Sequence, residues 1–282
     1  MSAQALRFTQ LDVFTDRALL GNPLAVVHAA EGLSTEQMAA FARWTNLSET
    51  AFLLAPTDPG ADYRVRIFTP TVELPFAGHP TLGSCHAWLA AGGSSRTAGE
   101  VVQQCGVGLV RIRRDGTRLA FAAPPRRRSG PLDEAMVERI ARFLQVPRAA
   151  IVAHQHCDNG PGWKAVMLAS ANAVLALRPQ LGSESGLEIG VVGAHSAGAQ
   201  PAFEVRAFFS APGGGLAEDP VTGSLNAALA QWLIGDGLAP SHYIAAQGAA
   251  LGRAGRLHVT QQGEDIWIGG DSVAVVQGSV RL

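Results

Sequence analysis

Two acid–base side chains stand immediately before prolines that open predicted helices. His79 precedes Pro80, and Asp219 precedes Pro220. Proline is favoured in the first helical turn, where unpaired N–H groups and the positive end of the helix dipole attract anions. A histidine and a carboxylate that meet in one cleft could therefore act on a small carboxylated substrate. Each residue also has a structural interpretation, Asp219 as an ordinary N-cap and His79 as a hydrogen-bonded structural histidine.

An internal repeat connects these two segments. Residues 65–68 and 205–208 share the pattern V-R-x-F, and residues 80–84 and 220–224 share the pattern P-x-x-G-S. The offset is 140 throughout, without a gap. We interpret the repeat as two copies of one strand–loop–helix unit, one in each lobe. The acid–base candidates then occupy equivalent positions, which favours a functional role for both.

Hydrophobic patterning and turn residues predict the elements that position these side chains. Ser34 and Gln37 form a predicted capping box at the start of the first helix. Further helices are predicted over 80–89 and 133–144. Strands are predicted over 6–14, 24–27, 51–54, 65–68, 118–122, 164–168 and 203–208, and near 107–113, 151 and 188–192.

A change in composition divides the chain into two lobes. Consecutive prolines, three arginines and a glycine make residues 123–131 the best candidate for a linker. We therefore predict an N-terminal lobe over 1–123 and a C-terminal lobe over 131–282, with the last strand a candidate to return to the first lobe. A chain of 282 residues, 47% of them apolar, is sufficient for two hydrophobic cores.

Charge and cysteine content exclude several classes of protein. The net charge of -1 lacks the basic excess that nucleic-acid-binding proteins usually show. No apolar run approaches the roughly 20 residues of a membrane helix, and the N-terminus lacks the pattern of a secretory signal. Three cysteines without C-x-x-C spacing indicate reduced thiols. We therefore expect a cytoplasmic protein that has neither nucleic acid nor a membrane as a partner.

Three other chemistries fit the residues less well. Two-thiol racemisation needs a thiol at each of two helix starts, where this sequence has His79 and Asp219. A hydrolase elbow at 194–198, A-H-S-A-G, would have to lead into a helix, but Pro201 and strand-like residues follow. The H-Q-H-C-D segment at 154–158 lacks a second cluster at zinc-ligand spacing. No dinucleotide-binding or P-loop pattern is complete.

Several motifs together resemble the PhzF-like phenazine biosynthesis protein family. The most specific is E-L-P-F-A-G-H-P-T-L-G at 73–83. The others are L-D-V-F-T-D at 11–16, G-N-P-L-A-V-V at 21–27, N-L-S-E-T-A-F at 46–52, R-I-F-T-P at 66–70, E-D-P-V-T-G-S at 218–224, Q-G at 247–248 and L-G-R at 251–253. Matching blocks extend over nearly the whole chain.

The resemblance implies an α+β fold of the diaminopimelate-epimerase-like type. Such a fold has two pseudo-symmetric lobes, each a mixed, barrel-like sheet around a central helix, with the active site between them. The resemblance also implies a homodimer and the absence of a cofactor or metal. In the characterised phenazine enzyme, a glutamate moves a hydrogen within trans-2,3-dihydro-3-hydroxyanthranilate, giving a ketone isomer.

Family roles can be carried over residue by residue. Glu49 becomes the acid/base, although a glutamate between a helix and a strand is, on its own, an ordinary solvated residue. The implied substrate-binding residues are Gly78, His79, Asp219, Gly223 and Ser224. The resemblance leaves the substrate open, and two alternatives remain. One is a one-carboxylate epimerase or other proton-shifting isomerase on the same fold, and the other is a non-catalytic ligand-binding member.

Overall fold

The computed structural model describes residues 5–180, 186–210 and 214–282. The chain divides into two compact units, one comprising Met1–Ala122 with Gly269–Leu282 and the other comprising Ala123–Ile268. The helices are α1 (Thr35–Thr45), α2 (Gly78–Ala90), α3 (Glu134–Leu144), α4 (Ala171–Ala176) and α5 (Gly223–Gly235). The strands are β1 (Ala5–Val13), β2 (Asn22–Val27), β3 (Glu49–Leu54), β4 (Tyr63–Phe68), β5 (Glu73–Leu74), β6 (Glu100–Cys105), β7 (Gly108–Asp115), β8 (Arg118–Ala122), β9 (Ile151–His156), β10 (Lys164–Leu168), β11 (Ile189–Ala194), β12 (Phe203–Ser210), β13 (Leu216–Asp219), β14 (His242–Gln247), β15 (Gly255–Gln262), β16 (Asp265–Gly270) and β17 (Ser272–Arg281). Within the described ranges, none of these helices combines the length and hydrophobicity that crossing a membrane requires.

The first unit wraps a mixed sheet around the apolar helix α2. β1 pairs antiparallel with β2 and β17, β2 runs parallel to β3, and β3 pairs antiparallel with β4. β4 pairs antiparallel with β5 and parallel with β6, and β7 and β8 extend the sheet as an antiparallel meander. α2 packs against β1, β2, β3, β6, β8 and β17. Nine of its 13 residues are buried, which makes it the central element of this unit.

The second unit repeats this arrangement strand for strand. β9 pairs antiparallel with β10, β10 runs parallel to β11, and β11 pairs antiparallel with β12. β12 pairs antiparallel with β13 and parallel with β14, and β14 pairs antiparallel with β15. In chain order, α4 corresponds to α1 and α5 corresponds to α2. The predicted α+β fold with two pseudo-symmetric halves is therefore confirmed.

The repeat contains a length difference that the gapless sequence alignment missed. Phe68 pairs with Glu73 in the first unit, and Phe208 pairs with Glu218 in the second. The offset is 140 on β4 and β12, but it is 145 on β5 and β13 and at the starts of α2 and α5. The gapless alignment was wrong because the hairpin in the second unit is five residues longer, running from 208 to 218 rather than from 68 to 73.

The corrected register aligns two clusters of the same composition. Arg66 donates two hydrogen bonds to Glu73, each at 2.7 Å, and lies over the ring of Phe68 at 5.1 Å. Arg206 bonds Glu218 in the same way at 2.8 and 2.7 Å and lies over the equivalent phenylalanine ring at 5.2 Å. The V-R-x-F part of the sequence repeat therefore reflects true structural equivalence.

The two central helices do not begin at the prolines. α2 begins at Gly78, so that Pro80 is its third residue, and α5 begins at Gly223, three residues after Pro220. Both positions accept proline because the first-turn N–H groups have no acceptor within the helix, and because the preceding loop needs no helical N–H. Proline thus marked the helix starts only approximately.

The same shift changes which side chains are equivalent. His79 is the second residue of α2, and Ser224 is the second residue of α5. Asp219 ends β13, and its counterpart in β5 is Leu74. The prediction that His79 and Asp219 occupy equivalent positions is therefore wrong. The two helix starts carry a histidine in one unit and a serine in the other.

Candidate active site

Glu49 and His79 come together in the first unit. β3 begins at Glu49, two residues earlier than predicted, and His79 lies in the first turn of α2. Oε2 of Glu49 lies 3.6 Å from Nε2 of His79, and the two side chains are 15% and 6% exposed, respectively. The distance is longer than a hydrogen bond, yet both groups occupy one nearly dry space. We refer to them as the Glu49–His79 pair.

The surroundings of His79 keep its imidazole uncharged. Burial lowers the pKa of His79 from 6.5 to about 3, although a hydrogen bond from the ring to the Pro23 carbonyl acts in the opposite direction. Nδ2 of Asn22 lies 3.4 Å from Nδ1 of the ring. Both neighbours open β2, a strand against which α2 packs. At neutral pH, His79 is therefore a hydrogen-bonding group and not a cation.

Two buried histidines should make the protein less stable at mildly acidic pH. Burial, with a smaller effect of the Arg7 charge, lowers the pKa of His28 to about 4, and that of His79 is lowered to about 3. In the unfolded chain both titrate near 6.5. As the pH falls from 6.5 toward 4, only the unfolded state takes up these protons, so stability is lost. Each histidine should contribute a slope of up to about 1.4 kcal/mol per pH unit.

Urea unfolding between pH 7 and pH 4.5 measures this slope. His28→Gln and His79→Gln should each reduce the slope, because each removes one proton that the unfolded state binds preferentially. A slope that neither buried substitution alters would contradict the assignment.

Asp219 and Ser224 flank the start of α5 in the second unit. Asp219 is the last residue of β13, and its Oδ2 accepts a hydrogen bond from the Thr222 hydroxyl at 2.5 Å. Oγ of Ser224 accepts a hydrogen bond from Nε1 of Trp163 at 3.0 Å. The Ser224 carbonyl accepts another from Nδ2 of Asn159 at 2.8 Å. These bonds attach both predicted polar groups to the framework of the unit.

Glycine opens both central helices. Gly78 and Gly223 are the first residues of α2 and α5, and the N-cap positions are Ala77 and Thr222. Among the described residues, neither N-cap side chain bonds a backbone N–H of the turn that follows. Each helix therefore presents the electropositive N-terminal end that attracts anions.

The structure groups the predicted site residues by unit. The first unit brings Glu49 and His79 together beside the helix start at Gly78, and in the second unit Asp219 and Ser224 lie within four residues of Gly223 in the chain. One group thus combines a carboxylate with a neutral imidazole, and the other combines a carboxylate with a hydroxyl.

The sequence assigned no role to the residues that hold these groups, although three of them lie within the motifs that resemble the family. Asn22, Thr222, Trp163 and Gln247 each bond a predicted site residue, although none stands at a spacing that points to it. For two of these residues, the surrounding sequence gives a weak indication that the side chain is buried and hydrogen-bonded. Asn22 and Gln247 are amides inside apolar strand segments, each next to a proline or glycine, and buried amides require partners.

Comparison with protein families identifies the chain as a whole. A model of the family PhzC-PhzF, described as phenazine biosynthesis-like protein, matches residues 11–278. The chain belongs to the PhzC-PhzF family. The resemblance drawn from the motifs is thereby confirmed.

Several relatives of this PhzF-family chain are named isomerases. A protein of Schizosaccharomyces pombe named antisense-enhancing sequence 1 is 38% identical over 230 residues, 77% of this chain and 76% of its own. An uncharacterised isomerase of Mesorhizobium japonicum is 36% identical over 312 aligned residues, 99% of this chain and 100% of its own. Trans-2,3-dihydro-3-hydroxyanthranilate isomerase of Pseudomonas aeruginosa is 51% identical over 81 residues, 29% of each chain. The protein is an enzyme of the isomerase class.

Solved structures share the fold of this PhzF-family chain. A PhzF-family protein from Bacillus anthracis has a TM-score of 0.83 at 21% identity and covers 99% of this chain and 100% of its own. A probable proline racemase from Agrobacterium radiobacter has a TM-score of 0.60 at 15% identity and covers 98% of this chain and 93% of its own. These likenesses support the predicted diaminopimelate-epimerase-like fold.

The cysteines of this PhzF-family chain do not suit two-thiol chemistry. All three are free thiols. Burial raises the pKa of both Cys85 and Cys157 to about 12, and burial also raises the pKa of Cys105. None of the three lies in the first turn of α2 or α5. A thiolate at either helix start is therefore not available.

The other two motifs have structural roles. The A-H-S-A-G segment at 194–198 begins with the last residue of β11 and continues into a turn that leads to β12, not to a helix. In the segment 154–158, Nδ1 of His154 accepts a hydrogen bond from the Leu132 amide at 3.1 Å. Oδ1 of Asp158 accepts hydrogen bonds from two backbone N–H groups of the turn that follows it, at 2.8 and 2.9 Å. Within the described ranges, no three His, Cys, Asp or Glu side chains are arranged to hold a metal ion.

Proposed function

We propose that this protein is a cofactor-independent isomerase of the trans-2,3-dihydro-3-hydroxyanthranilate isomerase type, moving a proton within a small carboxylated substrate. Glu49 carries the proton. The observation that supports this most is the Glu49–His79 pair, a nearly dry carboxylate 3.6 Å from an imidazole that burial keeps neutral. The 51% identity over 81 residues with an isomerase of that name supports the substrate class.

One carboxylate suffices for this chemistry. In the first step, Glu49 takes a proton from a substrate carbon, and the electron pair enters the conjugated system of the substrate. In the second step, the carboxylic acid returns the proton to another carbon of that system. The product is then an isomer, and Glu49 regains its charge. Because His79 is uncharged, it can hydrogen-bond the substrate without forming an ion pair that would hold Glu49 in its ionised form.

We further propose that polar residues of the second unit contact the substrate, as the family resemblance implies. In this proposal, Asp219 and Ser224 orient the substrate. Helix N-termini bind anions, so the uncapped starts of α2 and of α5 are each candidates to bind its carboxylate. The homodimer that the family resemblance implies remains a prediction, which analytical ultracentrifugation can measure.

Turnover in D₂O tests the proposed reaction. Purified protein incubated with trans-2,3-dihydro-3-hydroxyanthranilate should form its ketone isomer, followed by NMR and mass spectrometry. Deuterium at the carbon that receives the proton reports exchange of the Glu49 proton with solvent. The Glu49→Gln variant is the control and should form product at least about 10⁴-fold more slowly.

The same experiment separates the alternatives. An epimerase would exchange deuterium at a single carbon and invert it without moving a double bond. A panel of small carboxylated hydroxy and amino acids extends the test to that chemistry. If the protein neither converts any of these compounds nor exchanges their hydrogens, the proposal is overturned. That result would favour a ligand-binding member of the family.

A further inference from the structure

A buried amide on β14 organises the site residues of the second unit. Gln247 is the last residue of β14 and is 1% exposed. Its Oε1 accepts hydrogen bonds from the Thr222 amide at 3.0 Å and from Nδ2 of Asn226 at 2.9 Å. Its Nε2 donates to the Asp219 carbonyl at 3.0 Å and to Oγ1 of Thr222 at 2.8 Å. Two accepted and two donated bonds satisfy this side chain.

Backbone groups fix the orientation of both side-chain amides in this network. A backbone N–H can only donate, so the Gln247 atom that faces the Thr222 amide is Oε1. Nδ2 of Asn226 also donates to the Thr222 carbonyl at 2.9 Å, which fixes the orientation of the second amide. Nε2 of Gln247 therefore donates to the Thr222 hydroxyl. The hydroxyl hydrogen is left for Oδ2 of Asp219, 2.5 Å away.

The hydrogen bond from the Thr222 hydroxyl to Oδ2 of Asp219 favours the ionised form of Asp219. Hydrogen bonds of the O–H···O⁻ type are short, about 2.5–2.7 Å, and roughly twice as strong as neutral ones. A hydroxyl that donates to Oδ2 of Asp219 stabilises the carboxylate, because a hydrogen bond to the charged form favours that form. Gln247 sets the orientation of the Thr222 hydroxyl, and this orientation therefore stabilises the negative charge of Asp219.

The charged neighbours of Asp219 must be distinguished from this network. Alternate residues of a strand face opposite sides of the sheet, so Glu218 points away from the side of Asp219 and bonds Arg206 with two hydrogen bonds. Arg253 follows the end of β14, where its Cβ lies close to Gly248. The Arg206–Glu218 pair is internally neutral. A loss of the Thr222 hydroxyl can therefore be measured separately from that pair.

We propose that Gln247 and Thr222 are positioning residues that act through Asp219. The inference rests on the proposed function, in which Asp219 contacts substrate. The relay from Gln247 to Thr222 to Asp219 fixes Oδ2 and holds the side chain as an ionised hydrogen-bond acceptor. An acceptor of this kind selects a substrate that carries a hydroxyl or amino group in addition to its carboxylate.

Carbon-13 NMR of the Asp219 carboxyl, assigned with Asp219→Asn, tests the relay without any substrate. Thr222→Val removes the hydroxyl at nearly the same volume, and Thr222→Ser retains it. The titration midpoint of Asp219 should move to higher pH in Thr222→Val and stay near that of the wild-type protein in Thr222→Ser. Gln247→Met should shift the midpoint in the same direction. If Gln247→Met fails to fold, the two Thr222 variants still decide the outcome.

Kinetics in the isomerase assay provide the second measurement. Thr222→Val should lower kcat/KM by about 10- to 100-fold, since it removes a hydrogen bond to a charged group. In the Asp219→Asn background the same change should have less than about a threefold effect, because the relay acts through Asp219. Equal losses in both backgrounds, or an unmoved NMR midpoint, would overturn the relay. If Thr222→Val shifts the titration midpoint of Asp219 but the wild-type protein converts no substrate, the relay is supported and the proposed function is refuted instead.

Discussion

Glu49→Gln should bind substrate with nearly wild-type affinity and turn it over about 10⁴-fold more slowly, or slower still. Glutamine keeps the size and hydrogen-bonding shape of the side chain, but it cannot take up the proton. General acid–base catalysis contributes about 10²–10⁴-fold, and a sole base belongs at or beyond the upper end of that range. Calorimetric titration measures the binding, and single-turnover kinetics measure the chemical step.

A glutamate outside the site provides the matched control for this substitution. Glu36 lies exposed in the first turn of α1, so Glu36→Gln should keep wild-type turnover. His79→Asn should lower turnover less than Glu49→Gln, because His79 hydrogen-bonds in the proposed mechanism but does not carry the proton. If Glu49→Gln retains more than about a tenth of wild-type turnover, the base is another residue, and Asp219 is the next candidate.

Arg206→Met should destabilise the protein by about 3–5 kcal/mol, whereas Arg66→Met at the equivalent position should cost at most about 1 kcal/mol. The two arginines make the same paired bonds to a glutamate, but their burial differs. The Arg206 and Glu218 side chains are 6% and 4% exposed, whereas those of Arg66 and Glu73 are 19% and 39% exposed. Removing Arg206 leaves a buried carboxylate without its counter-charge, while Glu73 is stabilised by water.

The free energy of urea unfolding, compared between the two variants, measures this difference. Nη1 of Arg206 also donates a hydrogen bond to the Leu177 carbonyl at 2.9 Å. Losing this bond adds to the expected destabilisation by Arg206→Met. The double variant Arg206→Met/Glu218→Met should be more stable than Arg206→Met alone, since it no longer contains an isolated buried charge. Equal losses from Arg206→Met and Arg66→Met would show that burial does not decide the contribution of these pairs.

Elements specified by local sequence were predicted well. The capping box of α1 is present, with Ser34 and Gln37 exchanging both expected bonds, at 2.9 and 3.3 Å. Two predicted strands, over 118–122 and 164–168, coincide with β8 and β10. Capping and alternation of apolar residues depend on neighbours within a few positions, so a single sequence contains the information.

Features that depend on distant partners were not predictable in the same way. The P-x-x-G-S match placed Pro80 and Pro220 in register, although strand pairing shows a shift of five residues between the two copies. The neutrality of His79 follows from its burial beside β2, and no property of the G-H-P-T motif fixes it. Gln247 bonds Thr222 across 25 positions of sequence, and only the fold brings the two together.

The C-terminal strand has a consequence for the order in which the molecule forms. β17 pairs with β1 along its length, with Leu6 opposite Val280 and Val13 opposite Ser272. On the ribosome, the stretch Ala123–Ile268 emerges as one continuous piece before β17 has been made. Contacts between such remote positions form slowly. One edge of β1 therefore stays unpaired in the nascent chain until β17 has been synthesised.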